Sequence, residues 1–154
     1  MFATPKSLFR FLAIAEAITW TLLITGLILR ATVGLDVAVS IGGGIHGFVF
    51  LAYGATAVLL TVNQRWSAGT AILTIGSAII PYATIPVELW LARSGRLAGA
   101  WRTEVSDNPR DAGWIDRTMR WFLKHPFILV LLVAAAVVLL YVVLITLGPP
   151  GGSK

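Results

Sequence analysis

Three ionisable side chains stand inside long apolar stretches of this sequence, and they are its best candidates for chemistry. Glu16 lies in the first stretch, His46 in the second and Glu88 in the third. Ionisable groups inside a membrane are costly and commonly serve ion binding or proton relay. A carboxyl group beside an imidazole can pass a proton, which is the chemistry that these residue types indicate.

Helical spacing predicts the relative depths of these side chains. At 1.5 Å per residue, His46 and Glu88 are expected about 6 to 8 Å below the same surface, where they could pair. Tyr53 follows His46 by seven residues and is expected near the level of Glu16. The four side chains are therefore predicted to form one polar line. The alternative is that Glu88 and His46 only reach toward the interface or fix helix register, with a hydrogen bond between them that satisfies both.

Glycines and prolines mark how the helices are expected to pack and bend. Gly43, Gly47 and Gly54 lie at small-residue spacing on the second stretch, which predicts close helix–helix packing. Pro81 and Pro86 in the third stretch predict kinks, because proline removes a backbone donor. The glycine run follows no strand, so it is not a dinucleotide-binding fingerprint.

The elements that must position these residues are transmembrane helices. The chain is 57% hydrophobic and only 12% charged, with a mean hydropathy of +0.84. A spanning helix needs about 20 mostly apolar residues. Four stretches satisfy this length: Leu8–Leu29, Ile41–Val62, Ala68–Ala92 and Phe127–Leu147. The predicted fold is all-α, a polytopic membrane protein with a three-helix core and a C-terminal anchor helix.

A polar, basic segment divides the chain into three regions. Residues 1–95 form the predicted membrane core, residues 96–126 a basic loop, and residues 127–154 the last helix with a flexible tail. The loop contains an amphipathic pattern that predicts an interfacial helix. One face is mainly aromatic, with Trp114, Thr118, Trp121 and Phe122. The other is charged, with Asp116, Arg117, Arg120 and Lys124.

The distribution of Lys and Arg gives two conflicting indications of orientation. With four crossings, the first and third loops share one side and carry eight Lys and Arg residues, against four on the other side. The positive-inside rule then places the long loop, residues 93–126, in the cytoplasm and both termini outside. Lys6 and Arg10, just before the first helix, favour a cytoplasmic N-terminus instead. The expected location is the plasma membrane.

The sequence predicts no cofactor, no metal site and no nucleic-acid partner. The chain has no cysteine, and its two histidines, His46 and His125, lack the further ligands that a metal or haem site requires. Serine–histidine–acid arrangements and phosphate-binding loops are also lacking from the sequence. The expected partners are the lipid bilayer and another membrane protein or a second copy of the chain.

Three motifs in order resemble a family of small bacterial membrane proteins, domain of unknown function 3817. They are FRFLAIAEA at residues 9–17, GIHGFVFLAY at 44–53 and PYATIPVE at 81–88. The resemblance covers about residues 7–95. It implies a three-helix membrane core but no activity. The signature positions that it implies are Glu16, His46, Gly47, Pro81, Pro86 and Glu88.

Three functions remain open on the sequence alone. The first is a non-enzymatic accessory subunit or scaffold that works through helix association, favoured by small size and small-residue faces. The second is a small oligomeric transporter or proton-linked permease that uses Glu16, His46 and Glu88. The third is a membrane enzyme acting on a lipid, with His46 and Glu88 as its acid–base pair.

Overall fold

The computed structural model describes residues 4–105 and 108–147, and its regular structure is helical. This confirms the all-α prediction. The six α-helices are α1 (Pro5–Val33), α2 (Asp36–Asn63), α3 (Ala68–Gly76), α4 (Thr84–Arg93), α5 (Trp114–Lys124) and α6 (Pro126–Leu147). Short 3-10 turns follow α3, at Ser77–Ile79, and precede α5, at Pro109–Ala112.

Helices α1 and α2 are each long and apolar enough to cross a membrane. Thr4 caps α1 by accepting a hydrogen bond from the Ser7 amide, and Pro5 occupies its first turn, where no amide donor is needed. Gly34 ends the helix with a left-handed φ of 71°, which glycine adopts without a Cβ penalty. Only Gly34 and Leu35 separate the two helices, so α2 must run antiparallel to α1.

The two long helices touch backbone to backbone at Gly26 and Gly42. A Cβ atom on Gly26 would lie 2.7 Å from the Ala38 carbonyl oxygen, and one on Gly42 would lie 2.9 Å from that of Leu22. Both distances are too short for a real Cβ contact. These two glycines therefore permit the closest approach of α1 and α2.

The glycines predicted to pack the helices lie elsewhere. A Cβ on Gly47 or Gly54 would meet no atom within 4 Å, and one on Gly43 would make only an ordinary contact with the Leu23 side chain. These three glycines therefore do not set the contact between α1 and α2, and their packing against another helix stays a prediction. The two-residue connection between α1 and α2 sets where the helices cross, and therefore which glycines of each helix face the other helix.

The predicted third span, 68–92, is not one helix. It contains α3 and α4, of 9 and 10 residues, separated by a 3-10 turn and the Pro81–Tyr82 turn. Tyr82 has a φ of 64°, a left-handed conformation that is uncommon for a bulky residue. Pro81 therefore stands in a chain reversal, whereas Pro86 occupies the first turn of α4. Neither proline produces the predicted kink in a continuous helix.

Contacts with α1 show that α3 and α4 form a hairpin that enters and leaves at one end of the bundle. We call this the near end, where α1 begins. Trp66, before α3, donates its indole N–H to the Arg96 carbonyl oxygen, after α4, at 3.0 Å. Between them, the Trp20 indole N–H donates to the Ala78 carbonyl oxygen at 3.2 Å. The hairpin thus reverses about halfway along α1.

The segment after α4 stays at the near end, where it caps α2. The Arg102 guanidinium donates to the carbonyl oxygens of Val62 and Asn63, each at 2.6 Å. Arg65 and Arg102 both pair with Asp111, which is buried. The basic segment and the N-terminus of α1 therefore share one end of the bundle. The four-crossing arrangement, which set them on opposite sides, is wrong because the third stretch turns back.

Helix α5 is present and amphipathic, as predicted, although its faces are used differently. Asp116 pairs with Arg102 and Arg120 is buried against Asp111, so much of the charged face points into the protein. Trp114 and Trp121 are exposed instead. A 104° bend joins α5 to α6, and the bent pair is a third candidate span. The predicted flexible tail, 148–154, lies outside the described residues.

Candidate functional site

Glu16 lies in the middle of the contact between α1 and α2. Phe9, Ala13 and Glu16 follow one another on one face of α1, and each is 0% exposed. Among the described residues, neither carboxylate oxygen of Glu16 has a hydrogen-bond partner of normal geometry. Buried polar groups are ordinarily hydrogen-bonded, and a lone buried carboxylate is costly. Glu16 is therefore a buried carboxyl group in a largely apolar helix interface, with no hydrogen bond of normal geometry from the described residues to offset the cost of its burial.

His46 is the ionisable group closest to this carboxylate. Its Nδ1 atom lies 3.9 Å from Glu16 Oε2 and 3.1 Å from the Thr19 hydroxyl. The Trp20 ring lies 4.4 Å from the imidazole, between centroids. When Thr19 donates its single hydroxyl hydrogen to the Glu16 carbonyl oxygen at 3.0 Å, it accepts from Nδ1–H. The histidine is thus held from two sides by α1.

The pair lies close to the centre of the bundle. Thr19 is the middle residue of α1, about 21 Å from either end at 1.5 Å per residue. A hydrocarbon core is about 30 Å thick, so one centred on α1 would place Glu16 and His46 near its midplane. His46 was expected closer to the surface. The difference arises because α2 begins at Asp36, five residues before the expected start.

Tyr53 lies one level nearer to the near end than predicted. Its ring packs on Phe9 at 5.2 Å between centroids, and its hydroxyl lies 3.0 Å from Ser77 Oγ on the hairpin. The side chain is fully buried. Tyr53 therefore links α2 to the hairpin below the Glu16–His46 pair, but it does not contact His46.

Glu88 does not form the predicted pair with His46. Its Oε1 atom accepts a hydrogen bond from Arg10 Nε at 2.9 Å, and Glu88 is only 4% exposed. The reversal at Pro81 carries α4 back toward the near end, which moves Glu88 from the far side of the membrane to the level of Arg10. The ion pair satisfies Glu88 and joins the hairpin to α1.

The arrangement can hold and move a proton. A carboxyl and an imidazole at 3.9 Å can share one proton or exchange it after a small side-chain movement. Tyr53, Thr74 and Ser77 form a separate set of polar contacts at the hairpin, where the Tyr53 hydroxyl lies 3.0 Å from Ser77 Oγ and the Ser77 hydroxyl donates to the Thr74 carbonyl oxygen at 2.7 Å. In the described part of the chain, no three His, Asp or Glu side chains come together as metal ligands would.

Several residues of the site were missed by reasoning from the sequence. Thr19 and Trp20 are ordinary residues of an apolar helix, and only their spacing of three and four from Glu16 could have indicated a shared face. Arg10 was treated as a flanking charge. Its partner is set by the hairpin reversal, for which the two prolines were the available signal.

Comparison with known proteins identifies the family of the chain. The family model described as "Domain of unknown function (DUF3817)" matches residues 6–93, which include all but the first residue of α1, the whole of α2 to α4 and the Glu16–His46 site. A Streptomyces coelicolor protein, named "Putative membrane protein SCO5905", is 36% identical over 91 residues. That match covers 58% of this chain and 11% of the relative. No solved structure matches the chain. The chain belongs to the DUF3817 family, as its three motifs indicated.

Proposed function

We propose that this protein takes part in proton-linked transport, with Glu16 and His46 as its proton-binding site. One observation carries the proposal. A fully buried carboxyl group without a hydrogen bond of normal geometry among the described residues lies 3.9 Å from an imidazole, near the centre of the bundle. Such groups inside a membrane are costly and commonly belong to proton relays. A purely structural role would be better served by a neutral side chain.

The broken hairpin gives this proposal a second support. Transporters often place their sites at midmembrane beside discontinuous helices, whose ends supply polar groups. Here α3 ends and α4 begins at about the level of the site, since the Thr84 hydroxyl donates to the Ala13 carbonyl oxygen at 3.0 Å. Pro81 and Pro86 favour this break between the two helices, because proline cannot continue a preceding helix. The small bundle favours transport by an oligomer or with a larger partner.

The proposal includes three membrane crossings, α1, α2 and α6, with a re-entrant hairpin between the second and third. The near end then holds ten of the twelve Lys and Arg residues, and Arg30 lies at the opposite end. The positive-inside rule places the near end in the cytoplasm. The conflict seen with four crossings disappears, since Lys6 and Arg10 join the basic loop on one side of the plasma membrane.

Proton flux into liposomes tests the proposal. The purified protein is reconstituted with a pH-sensitive dye inside, and a potassium gradient with valinomycin supplies the driving potential. The wild type should acidify the lumen faster than protein-free vesicles, and Glu16→Gln should abolish the increase. Glu104→Gln is the matched control, because it makes the same substitution at an exposed carboxylate outside the helices.

Two results would overturn this assignment. A wild-type flux no faster than that of protein-free vesicles would show that this protein alone does not transport protons. Equal fluxes for wild type and Glu16→Gln would remove the site. Both variants must elute from a sizing column as the wild type does, so that a loss of flux is not a loss of folding.

An accessory or scaffold role is the second candidate, and an open groove supports it. The groove, of about 660 Å³, lies between α2 and α6 and is almost entirely apolar. Gly44 and Gly47 form part of its wall, where another helix could approach closely. In a pull-down from native membranes, Gly47→Leu should release a bound partner, whereas Gly69→Leu, in open space on α3, should retain it. No copurifying protein with the wild type would count against this role.

The third candidate, an enzyme acting on a lipid, loses its specific basis. It required His46 and Glu88 as an acid–base pair, but Glu88 pairs with Arg10 and His46 lies beside Glu16. His46 is also 7% exposed and enclosed by the Thr19 and Trp20 side chains. The geometry therefore favours proton binding over catalysis on a lipid.

A further inference from the structure

A second polar site lies at the near end, apart from the Glu16–His46 pair. A pocket of about 390 Å³ opens beside α5, and three cationic side chains, Arg117, Arg120 and Lys124, form part of its wall together with Trp121. Arg117 and Lys124 are exposed, whereas Arg120 is 8% exposed. The proposed transport function uses none of these residues.

The arginines behind this pocket neutralise its carboxylate. Asp111, also at the pocket, accepts from Arg102 Nη1 at 2.9 Å and pairs with Arg65 as well. Arg120 Nη1 lies 3.5 Å from the same Asp111 oxygen. One carboxylate thus faces three guanidinium groups. The positive charge of Arg117 and Lys124 is left at the mouth of the pocket, where an anion would be attracted.

Arg120 supplies a buried donor that is available to a ligand. Its Nη2 atom donates to the Asp111 carbonyl oxygen at 2.6 Å, which fixes the guanidinium plane. Its Nη1 atom is buried, and among the described residues it makes the 3.5 Å ion-pair contact with Asp111 but no hydrogen bond of normal geometry. Buried donors are ordinarily satisfied, and an unsatisfied one is costly. A phosphate oxygen bound in the pocket would supply the missing acceptor.

An apolar cleft suited to acyl chains is lined in part by the start of α6, which follows the α5 pocket along the chain. It has a volume of about 410 Å³ and lies between α1, α2 and α6, with Leu8, Leu12, Leu129 and Val133 in its wall. Lys124 ends α5, and α6 begins two residues later with a 104° bend. The chain therefore turns from the basic pocket into the cleft. This is the order of a phospholipid, with a headgroup at the surface and acyl chains below it.

We propose that the basic pocket beside α5 binds the phosphate of an anionic phospholipid whose acyl chains occupy the cleft between α1, α2 and α6. Basic pockets of this kind on the cytoplasmic side of membrane proteins bind anionic headgroups. A free phosphate ion would satisfy the same donors, but it would leave the apolar cleft without a role. The lipid therefore accounts for both features.

Native mass spectrometry of the full-length protein in mild detergent tests the proposal. Phosphatidylglycerol, phosphatidylcholine and inorganic phosphate are added in separate titrations. Phosphatidylglycerol should bind more tightly than phosphatidylcholine. The double variant Arg117→Gln/Lys124→Gln should weaken its binding about thirtyfold, since each cation near a headgroup contributes about a factor of five. Both residues are exposed, so this variant should fold.

Lys6→Gln is the matched control, because it removes an exposed near-end charge away from the pocket. It should leave phosphatidylglycerol binding unchanged. Equal binding of the two lipids, or an equal loss in Lys6→Gln and the double variant, would reduce the effect to general charge attraction and overturn the site. If inorganic phosphate binds as tightly as phosphatidylglycerol, or displaces it, the pocket is a site for a soluble anion and the proposal of a bound lipid is overturned.

Discussion

The close backbone approach at Gly26 yields a prediction about where α1 and α2 cross. In Gly26→Ala, the new Cβ would lie 2.7 Å from the Ala38 carbonyl oxygen, 3.0 Å from its carbon and 3.1 Å from the Val39 nitrogen. All three atoms belong to the backbone of α2 and cannot rotate away. The helices must therefore move apart by several tenths of an ångström, which also loosens the contact between Glu16 and His46.

The magnitude follows from comparison with Gly47→Ala. Both substitutions replace a helical glycine, so both gain about 1 kcal/mol of helix propensity. Gly47→Ala meets no atom within 4 Å, whereas Gly26→Ala also incurs an overpacking cost of about 1 to 3 kcal/mol. The two variants should therefore differ in unfolding free energy by that cost alone. A chain of this size loses about 2 to 4 °C of melting temperature for each kcal/mol.

Thermal unfolding in one detergent, followed by circular dichroism or by loss of the sizing-column peak, measures this difference. Gly26→Ala should melt about 2 to 12 °C below Gly47→Ala. Gly42→Ala, with a closest distance of 2.9 Å, should also melt below Gly47→Ala. Melting of Gly47→Ala at or below Gly26→Ala would refute this reasoning and restore the packing role predicted for Gly47 from the sequence.

Three further predictions follow from other contacts. Arg10→Gln should destabilise the protein by about 1 to 3 kcal/mol, because it leaves the buried Glu88 carboxylate unpaired. Glu88→Gln should cost less, because it leaves only a half-exposed arginine without its partner. Equal melting temperatures of the two variants would contradict this prediction. Tyr53→Phe should cost about 1 kcal/mol and increase hydrogen exchange in the hairpin, and unchanged exchange would argue against the Ser77 contact. Single cysteines at Lys6 and Arg117 should be labelled from the same side of the membrane, and labelling from opposite sides would refute the re-entrant hairpin.

Hydropathy was enough to predict the helical class and the two long helices. The lengths of the apolar runs indicate α1 and α2 because a spanning helix must satisfy its backbone internally. The choice of Glu16 and His46 as candidates also rested on composition alone, since an ionisable group in an apolar run stands out. Their placement beside each other was not predicted. It depends on α2 beginning at Asp36, whereas the predicted apolar stretch began at Ile41, after the polar residues Asp36 and Ser40.

The third stretch shows where apolar length misleads. Residues 68–92 are long enough to span, but α3 and α4 are each too short to cross about 30 Å. Pro81 and the left-handed Tyr82 reverse the chain. Buried threonines of the hairpin bind backbone carbonyl oxygens, Thr74 that of Thr70 within α3 and Thr84 that of Ala13 on α1. A hydropathy average takes account of neither the chain reversal nor these hydrogen bonds. Because the third stretch was predicted to cross the membrane, Glu88 and the basic loop were predicted at the far end of α1, whereas both lie toward its near end.

The coupling of Glu16 to His46 is tested most directly by nitrogen NMR of the imidazole rings in the bilayer. The chain has two histidines, so protein labelled with ¹⁵N-histidine gives signals from His46 and His125 that one His125→Gln spectrum assigns. The account predicts that Glu16→Gln shifts the His46 ring signals and changes their pH dependence, while the His125 signals stay in place. Unchanged His46 signals across the titration would contradict it and would leave the buried carboxyl group without its proposed partner.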